Sequence, residues 1–422
     1  MNDFAKNTVI LEEKNIANNK IGRRWIRNPF IWFALIWTIV PLIHLLNITS
    51  IYPSLNIKMG LFLLTIVGMS WLFAVLFDRF FLKGKDLVML ENDKPSYKLL
   101  IFGCLLTLME FVYSKQIPLF VIRSDAHAYS AFGIPTISFA ITSYFYALLA
   151  VASAKFVYGA KKNQRGNFII RCRVVLRFLL TYSRGGIITC FLIFFFLWLS
   201  KHKFSFRLFL LFICVGLAGL VGFNILGNIR MNSAWNDSSA IIELAHIRPN
   251  YSFLSGISWS LVYLDTPLGN LLYNIEKVSY SFSGEGLLSQ LLPDYLSKRI
   301  WPMYDSSLEL VVPALTVSSM FAGGFKYGGF FGRFLCFAEL SLFIFAFGYL
   351  TRNNFKYFLA TSSSLCVVAL LTFFDNTISY SGSSFYLVFI AFASVFDKSL
   401  LSPKQIQMIP SVFLETITDI NL

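Results

Sequence analysis

The chain has 422 residues, 56% of them hydrophobic and only 14% charged, with 46 Phe, 19 Tyr and 8 Trp. A soluble domain carries about 25% charged residues, so the composition excludes ordinary soluble proteins, disordered chains, collagen and small disulfide scaffolds. An all-α polytopic membrane protein is expected, and the formal net charge of +14 has to be read from its placement.

A basic segment, 1–29, containing Lys20, Arg23, Arg24 and Arg27, precedes the first apolar run at 30–48. A crossing helix needs about 20 apolar residues. No small-residue cleavage site follows the run, so a retained first span is expected rather than a signal peptide. Further runs lie at 59–77, 99–114, 136–158, 168–182, 185–200, 207–229, 328–350, 356–374 and 383–397. About ten transmembrane helices are therefore predicted, with a cytoplasmic tail at 398–422. Cytoplasmic loops of membrane proteins are enriched in Lys and Arg. With both termini cytoplasmic, 24 of the 36 basic residues fall on inner segments and 10 on outer ones, while Arg177 and Arg333 lie within spans. The positive charge is thus membrane anchoring, and nucleic acid is not an expected partner. The six Cys form no CxxC, so neither a zinc site nor a disulfide framework is indicated, and no cofactor is expected.

Two outward-facing regions are long enough to act on a substrate. One is 115–135, bracketed by Pro118 and Pro135; the other is 230–327, a large outer loop broken by Pro249, Pro267, Pro293, Pro302 and Pro313. The second is rich in Tyr and Trp and too apolar for a disordered linker. Short helices over the membrane mouth are expected there. Neither an internal repeat nor a matching pair of broken spans is visible, which weighs against a transporter.

Ionisable groups inside spans are expensive and mark functional candidates. The main one lies in LLTYSRGGIITC, with Ser183, Arg184, Gly185 and Gly186. The basic flanks at 161–173 and 201–207 both belong inside, so the chain turns back between them. From 168 to 183 is roughly 22 Å of helix, less than the roughly 30 Å hydrocarbon core. The turn at Arg184 is therefore expected in a sunken, water-filled depression, with Gly185 and Gly186 allowing the reversal. On a continuous helix Arg177 would share the face of Arg184. Two sunken guanidinium groups suit a lipid-linked phosphate or diphosphate, which a planar fork of donors can grip.

With these residues in view, the sequence resembles the bacterial O-antigen polymerase (Wzy) or oligosaccharide repeat unit polymerase family. The SRGG turn after a short span is similar to that family's SRG signature, which related O-antigen ligases share. Three further stretches resemble the polymerases: IPLF…YSAFGIP within 117–135, YLDTPLGNLLYN at 263–274, and FFDNTISYSGSSF at 373–385. The resemblance implies a glycosyltransferase acting on undecaprenyl-diphosphate-linked oligosaccharide at the outer face of the inner membrane. It also implies membrane lipid as a partner, and a chain-length regulator as a further one.

Such chemistry breaks a bond between an anomeric carbon and a diphosphate, so it needs cations for the leaving group and a base or orienting group for the acceptor. Candidate cations are Arg184, Arg230, Arg248 and Arg123, with Arg177 in support. Candidate bases are His246, His127, Asp125 and Asp265, and Asp375 could orient the acceptor. The triplet Arg123, Asp125, His127 would share one side of an extended stretch, and His246 stands two residues from Arg248. Tyr263 belongs to a set of loop aromatics suited either to sugar faces or to an interfacial belt. Glu110, Arg333 and Glu339 are expected to be interhelical partners. The rival functions are an O-antigen ligase and a lipid-linked oligosaccharide flippase.

Overall fold

The structure is a computed structural model that describes residues 24–83, 90, 94–121, 132–202, 206–231, 233–277, 281–304 and 308–397. The tail at 398–422 and most of the segment 1–29 lie outside the described residues. Among the described residues the elements are helical, and the β-pairings are isolated bridges joining Thr49 to Ile247 and Leu90 to Gly159.

Each of the ten apolar runs falls on a helix: α1 (Pro29–Leu45), α2 (Ile57–Phe77), α3 (Tyr97–Ser114), α4 (Ser138–Tyr158), α5 (Lys161–Leu180), α6 (Arg184–Lys201) and α7 (Phe206–Arg230). After the large loop, which contains α8 (Ser258–Lys277) and α9 (Gly284–Leu291), come α10 (Phe321–Thr351), α11 (Phe355–Leu371) and α12 (Ser381–Phe396). Five helical stretches are long and apolar enough to cross a membrane: Ile57–Leu82, Tyr97–Ser114, Ser138–Tyr158, Arg184–Lys201 and Phe321–Thr351. Shorter apolar helices occupy Pro29–Leu45, Gly216–Ile229, Phe355–Leu371 and Ser384–Phe396. The tenth, α5, departs from expectation. It begins at Lys161, not at 168, because the basic stretch ahead of Phe168 contains no helix breaker but Gly166.

Local chemistry starts these helices where the sequence allows. Asn28 caps α1 by accepting from the Phe30 N–H, with Pro29 at the first helical position, and Asn56 caps α2 through the Met59 N–H at 2.8 Å. Side-chain caps of this kind satisfy N–H groups that a helix end leaves without partners. The burial pattern is that of a protein in lipid. On α3 the buried positions are Leu100, Gly103, Thr107 and Glu110, while Ile101, Leu105, Leu108 and Val112 are exposed. Polar groups face in and apolar ones out, the reverse of a water-soluble helix.

The connections sort to two ends. At one end the bridge Leu90–Gly159 joins two expected inner segments, Lys356 pairs with Asp397 at 2.7 Å, and Tyr158 meets Ser200. At the other, the α1–α2 linker bridges to Ile247, and Asp294 accepts from Ser381. Near that second end Arg177 on α5 is ion-paired to Glu110 on α3 at 2.9 Å, and Ser138 donates to the other Glu110 oxygen at 2.6 Å.

The large loop does more than cover this end. Its residues near 309–317 run beside α8, where Asn270 donates to the carbonyls of Leu315 and Val317 and Asn274 donates to that of Glu309. The chain then reaches the level of Trp37, halfway along α1. There the Trp37 ring lies 4.8 Å from Phe321, its indole N–H donates to Thr372, and the Met320 N–H donates to the Thr372 carbonyl. From Phe321 the first arm of α10 climbs back until Gly329, whose φ of 57° and ψ of −138° break the helix. The second arm descends against the first, so closely that a Cβ on Gly332 would collide with the Gly324 carbonyl.

The buried Arg177–Glu110 pair gives a direct test. Substituting Arg177→Met strands a buried carboxylate and should cost about 3–5 kcal/mol. The double substitution Arg177→Met with Glu110→Gln should recover most of that loss. Thermal unfolding in detergent, comparing the two variants, reads the difference.

Candidate functional site

The turn that sequence reading singled out lies between α5 and α6. The reversal is made by Thr181, Tyr182 and Ser183, with Tyr182 in the left-handed region at φ 54°, before the glycines rather than at them. Arg184 is already the first residue of α6, and Ser183 caps the helix by accepting from the Gly186 N–H at 3.2 Å. Gly186 is required for another reason. A Cβ there would run into the ring of Phe178 on α5, so glycine sets how closely the two helices meet. Arg177 and Arg184 accordingly lie on different helices and not on one continuous face.

Arg184 is half-buried and has no carboxylate partner among the described residues. Its guanidinium lies 5.8 Å from the Phe223 ring of α7. Helix N-termini carry free N–H groups and the positive end of the helix dipole, so charge and backbone favour an anion at the same place. Phe223 in turn meets Tyr263 of α8 edge-on at 5.2 Å, and Tyr263 stacks on Phe374 at 5.8 Å. Of the four stretches singled out in the sequence, 263–274 and 373–385 meet directly through Tyr263 and Phe374, and Phe223 links the SRGG turn to them. The fourth, within 117–135, reaches the same end: the Gly133 N–H donates to Ser114, and Phe132 packs 5.5 Å from Phe111.

Asp375 follows Phe374 and is half-buried in the α11–α12 loop. It accepts from the Tyr380 hydroxyl at 2.7 Å and from the Asn376 N–H. Burial raises its carboxyl above the ordinary range, and the bonds from Tyr380 and Asn376 reverse this only in part. A carboxyl held in that state is better matched to proton acceptance near neutrality than an open one. A second carboxylate, Asp294, stands against the start of α12, 87 residues away in sequence. Burial works to raise it, but hydrogen bonds from the Ser381 hydroxyl and N–H, aided by Lys298, outweigh burial and hold it low.

The remaining sequence candidates separate. Arg177 is buried and matched by Glu110, so its charge is already answered within the protein. Asp265 is buried as well. It receives His44 Nδ1 on one oxygen at 2.6 Å and the Thr49 hydroxyl on the other at 2.8 Å, while His44 Nε2 faces the Pro53 carbonyl. It fastens the end of α1 to α8 instead of facing the mouth. His246 and Arg248 are both exposed on either side of buried Ile247. Arg230 ends α7, with its side chain outside the described residues, as are Arg123, Asp125 and His127. Sequence reading missed His44, although a lone imidazole near the end of an apolar run is itself a signal. It also missed Asn270 and Asn274, a buried i, i+4 amide pair inside a quoted motif. Arg333 and Glu339, expected as interhelical partners, do not pair with each other: Arg333 faces Met59 and Phe62 of α2, and Glu339 is joined to Asn376.

Compared with family models, curated proteins and solved structures, the chain matches none. The site is therefore read from its geometry.

Because Asp294 is held low in the folded state, it stabilises the fold above the ordinary carboxylate value of about 3.9 and loses that effect as pH falls through its depressed value. Asp294→Asn should cost about 1 kcal/mol at neutral pH, modest because the carboxylate is partly open to water. The deficit should shrink as the medium is acidified below about pH 4. Unfolding midpoints of both proteins across a pH series check this.

Proposed function

We propose that this protein is a membrane glycosyltransferase that polymerises undecaprenyl-diphosphate-linked oligosaccharide repeat units, of the O-antigen or capsule type. In this reading the ten apolar helices all cross the inner membrane, both termini are cytoplasmic, and the end bearing Arg184 faces the periplasm. The observation that carries it is the contact path Arg184–Phe223–Tyr263–Phe374, which runs from a half-buried cation with no carboxylate partner among the described residues, along a row of aromatic rings, to the residue before Asp375.

The chemistry follows from those groups. Arg184 and the N-terminus of α6 hold the diphosphate of the donor and take up the charge that develops as it leaves. Tyr263 and Phe374 offer flat apolar faces to sugar rings. The acceptor hydroxyl attacks the anomeric carbon, forming a glycosidic C–O bond while the C–O bond to the diphosphate breaks. Undecaprenyl diphosphate departs with the electron pair, and the hydroxyl proton passes to the Asp375 carboxylate. The energy of the donor bond suffices, so no nucleotide is needed. The growing chain lengthens at its reducing end.

Arg184→Ala should reduce polymer formation by about 100-fold or more, the scale seen when a charge-stabilising donor is removed. Cells carrying the variant, with membrane insertion verified, should display single repeat units. A normal ladder of chain lengths on a polysaccharide gel would refute the proposal.

A further inference from the structure

Among the described residues Arg333 is the most completely buried cation, at 0% exposure, on the descending arm of α10 just past the break at Gly329. Three aromatic rings surround its guanidinium: Phe330 at 3.7 Å, Phe62 at 4.5 Å and Phe325 at 5.5 Å. One nitrogen, Nη1, points to the Met59 sulfur at 2.7 Å, a weak acceptor. The other two, Nε and Nη2, are buried with no hydrogen-bond partner among the described residues. No carboxylate pairs with Arg333 among the described residues. Rings lower the cost of a buried cation, but they leave its N–H donors unanswered. A guanidinium sealed from water without an anion is strongly disfavoured in a membrane helix, and Arg333 cannot reach out to the interface as exposed arginines do.

Directly below it a groove opens between α2 and the descending arm of α10. It holds about 490 Å³ and is lined by Met69 and Phe73 on one side and by Phe334, Ala338, Ser341 and Phe345 on the other. That is the size of an ordinary small-molecule site, with almost wholly apolar walls. Phe334 is the residue after Arg333, and its ring meets Phe62, which the guanidinium also faces. From Phe334 to Phe345 the groove follows α10 for about 16 Å. Met59 is the third residue of α2, so Arg333 lies at the level where that helix begins, and the groove runs from there toward the bundle's interior depth. Cation at the top and apolar channel beneath match a phosphate head with a hydrocarbon chain.

We infer that Arg333 and the α2–α10 groove form a second polyprenyl-diphosphate site, separate from that of Arg184. The lipid's identity rests on the proposed function, in which two lipid-linked substrates are held at once and Arg184 accounts for one. The diphosphate accepts from Nε and Nη2, and the first isoprene units lie along Phe334 and Ala338. Phe330, which follows the Gly329 break, forms the movable face of the ring cage and turns aside when the head group arrives.

The test uses the full-length protein in nanodiscs of phosphatidylethanolamine and phosphatidylglycerol doped with undecaprenyl diphosphate, with bound lipid counted by native mass spectrometry. The unaltered protein should hold two undecaprenyl diphosphates, and Arg333→Met should hold one, with at least a tenfold loss of affinity at the missing site. Ala338→Trp, which fills the groove and leaves Arg333 in place, should likewise hold one. Both variants retaining two, or phosphatidylglycerol alone responding to them, overturns the inference. The two readings fail separately. If Arg184→Ala abolishes polymer while Arg333→Met leaves the lipid count unchanged, only the second site falls. If Arg184→Ala leaves a normal ladder, the polymerase reading falls.

Discussion

Where water is absent, every main-chain N–H and C=O needs a partner within the protein, and irregular backbone can enter such a region only if something supplies those partners. In this protein two amide side chains on α8 do so. Asn270 satisfies two carbonyls of the entering stretch, and Asn274 both donates to the Glu309 carbonyl and accepts from its N–H. Thr372 and Trp37 complete the set at the deepest point. Without these bonds the chain between α9 and α10 would have to stay at the surface, and α10 could not fold back on itself.

The returning arm decides what lies around the mouth. It brings Phe321 against α1 and positions Asn376 and Thr372 inside the bundle, so that the α11–α12 loop stands well below the ends of the longer helices. Asp375 is half-buried for that reason, and its raised carboxyl follows from the loop's depth and not from any neighbouring charge. Arg184 differs in kind. Its turn is closed by local bonds from Ser183 and by the tight approach of Gly186 to Phe178, so the guanidinium projects from a rigid corner. A fixed cation and a shielded carboxyl thus stand at the two ends of one run of aromatic contacts.

Much of this was legible in the chain itself. Apolar runs located ten of the helices, since they depend on composition within a window, but not the 20-residue α8, which lies in a region where only short helices were expected. The SRGG turn was legible for the same local reason. Partners distant in sequence were not. Nothing near Arg177 announces Glu110, 67 residues away, and nothing near Asp265 announces His44. Asp265 looked available because it lies in an outward-facing region between spans; its burial depends on α1 ending beside it. The hairpin of α10 was hidden because its first arm, from Phe321, precedes the apolar run at 328–350 and read as the end of the outer loop. The stretch near 309–320 read as outer loop because it holds Pro313 and is too short an apolar run to cross a membrane, although its Leu and Val content is what lets it descend.

The bond between Met320 and Thr372 carries a consequence for biogenesis. The two residues are separated by the whole of α10 and α11, so the ribosome must add both helices before the deepest stretch of the loop can find its mate. Until then that stretch has no place to go, and the α10 hairpin waits in an unfinished form. The outer region 230–327 is thus not a detachable module. It is completed last, from beneath, by helices that come after it.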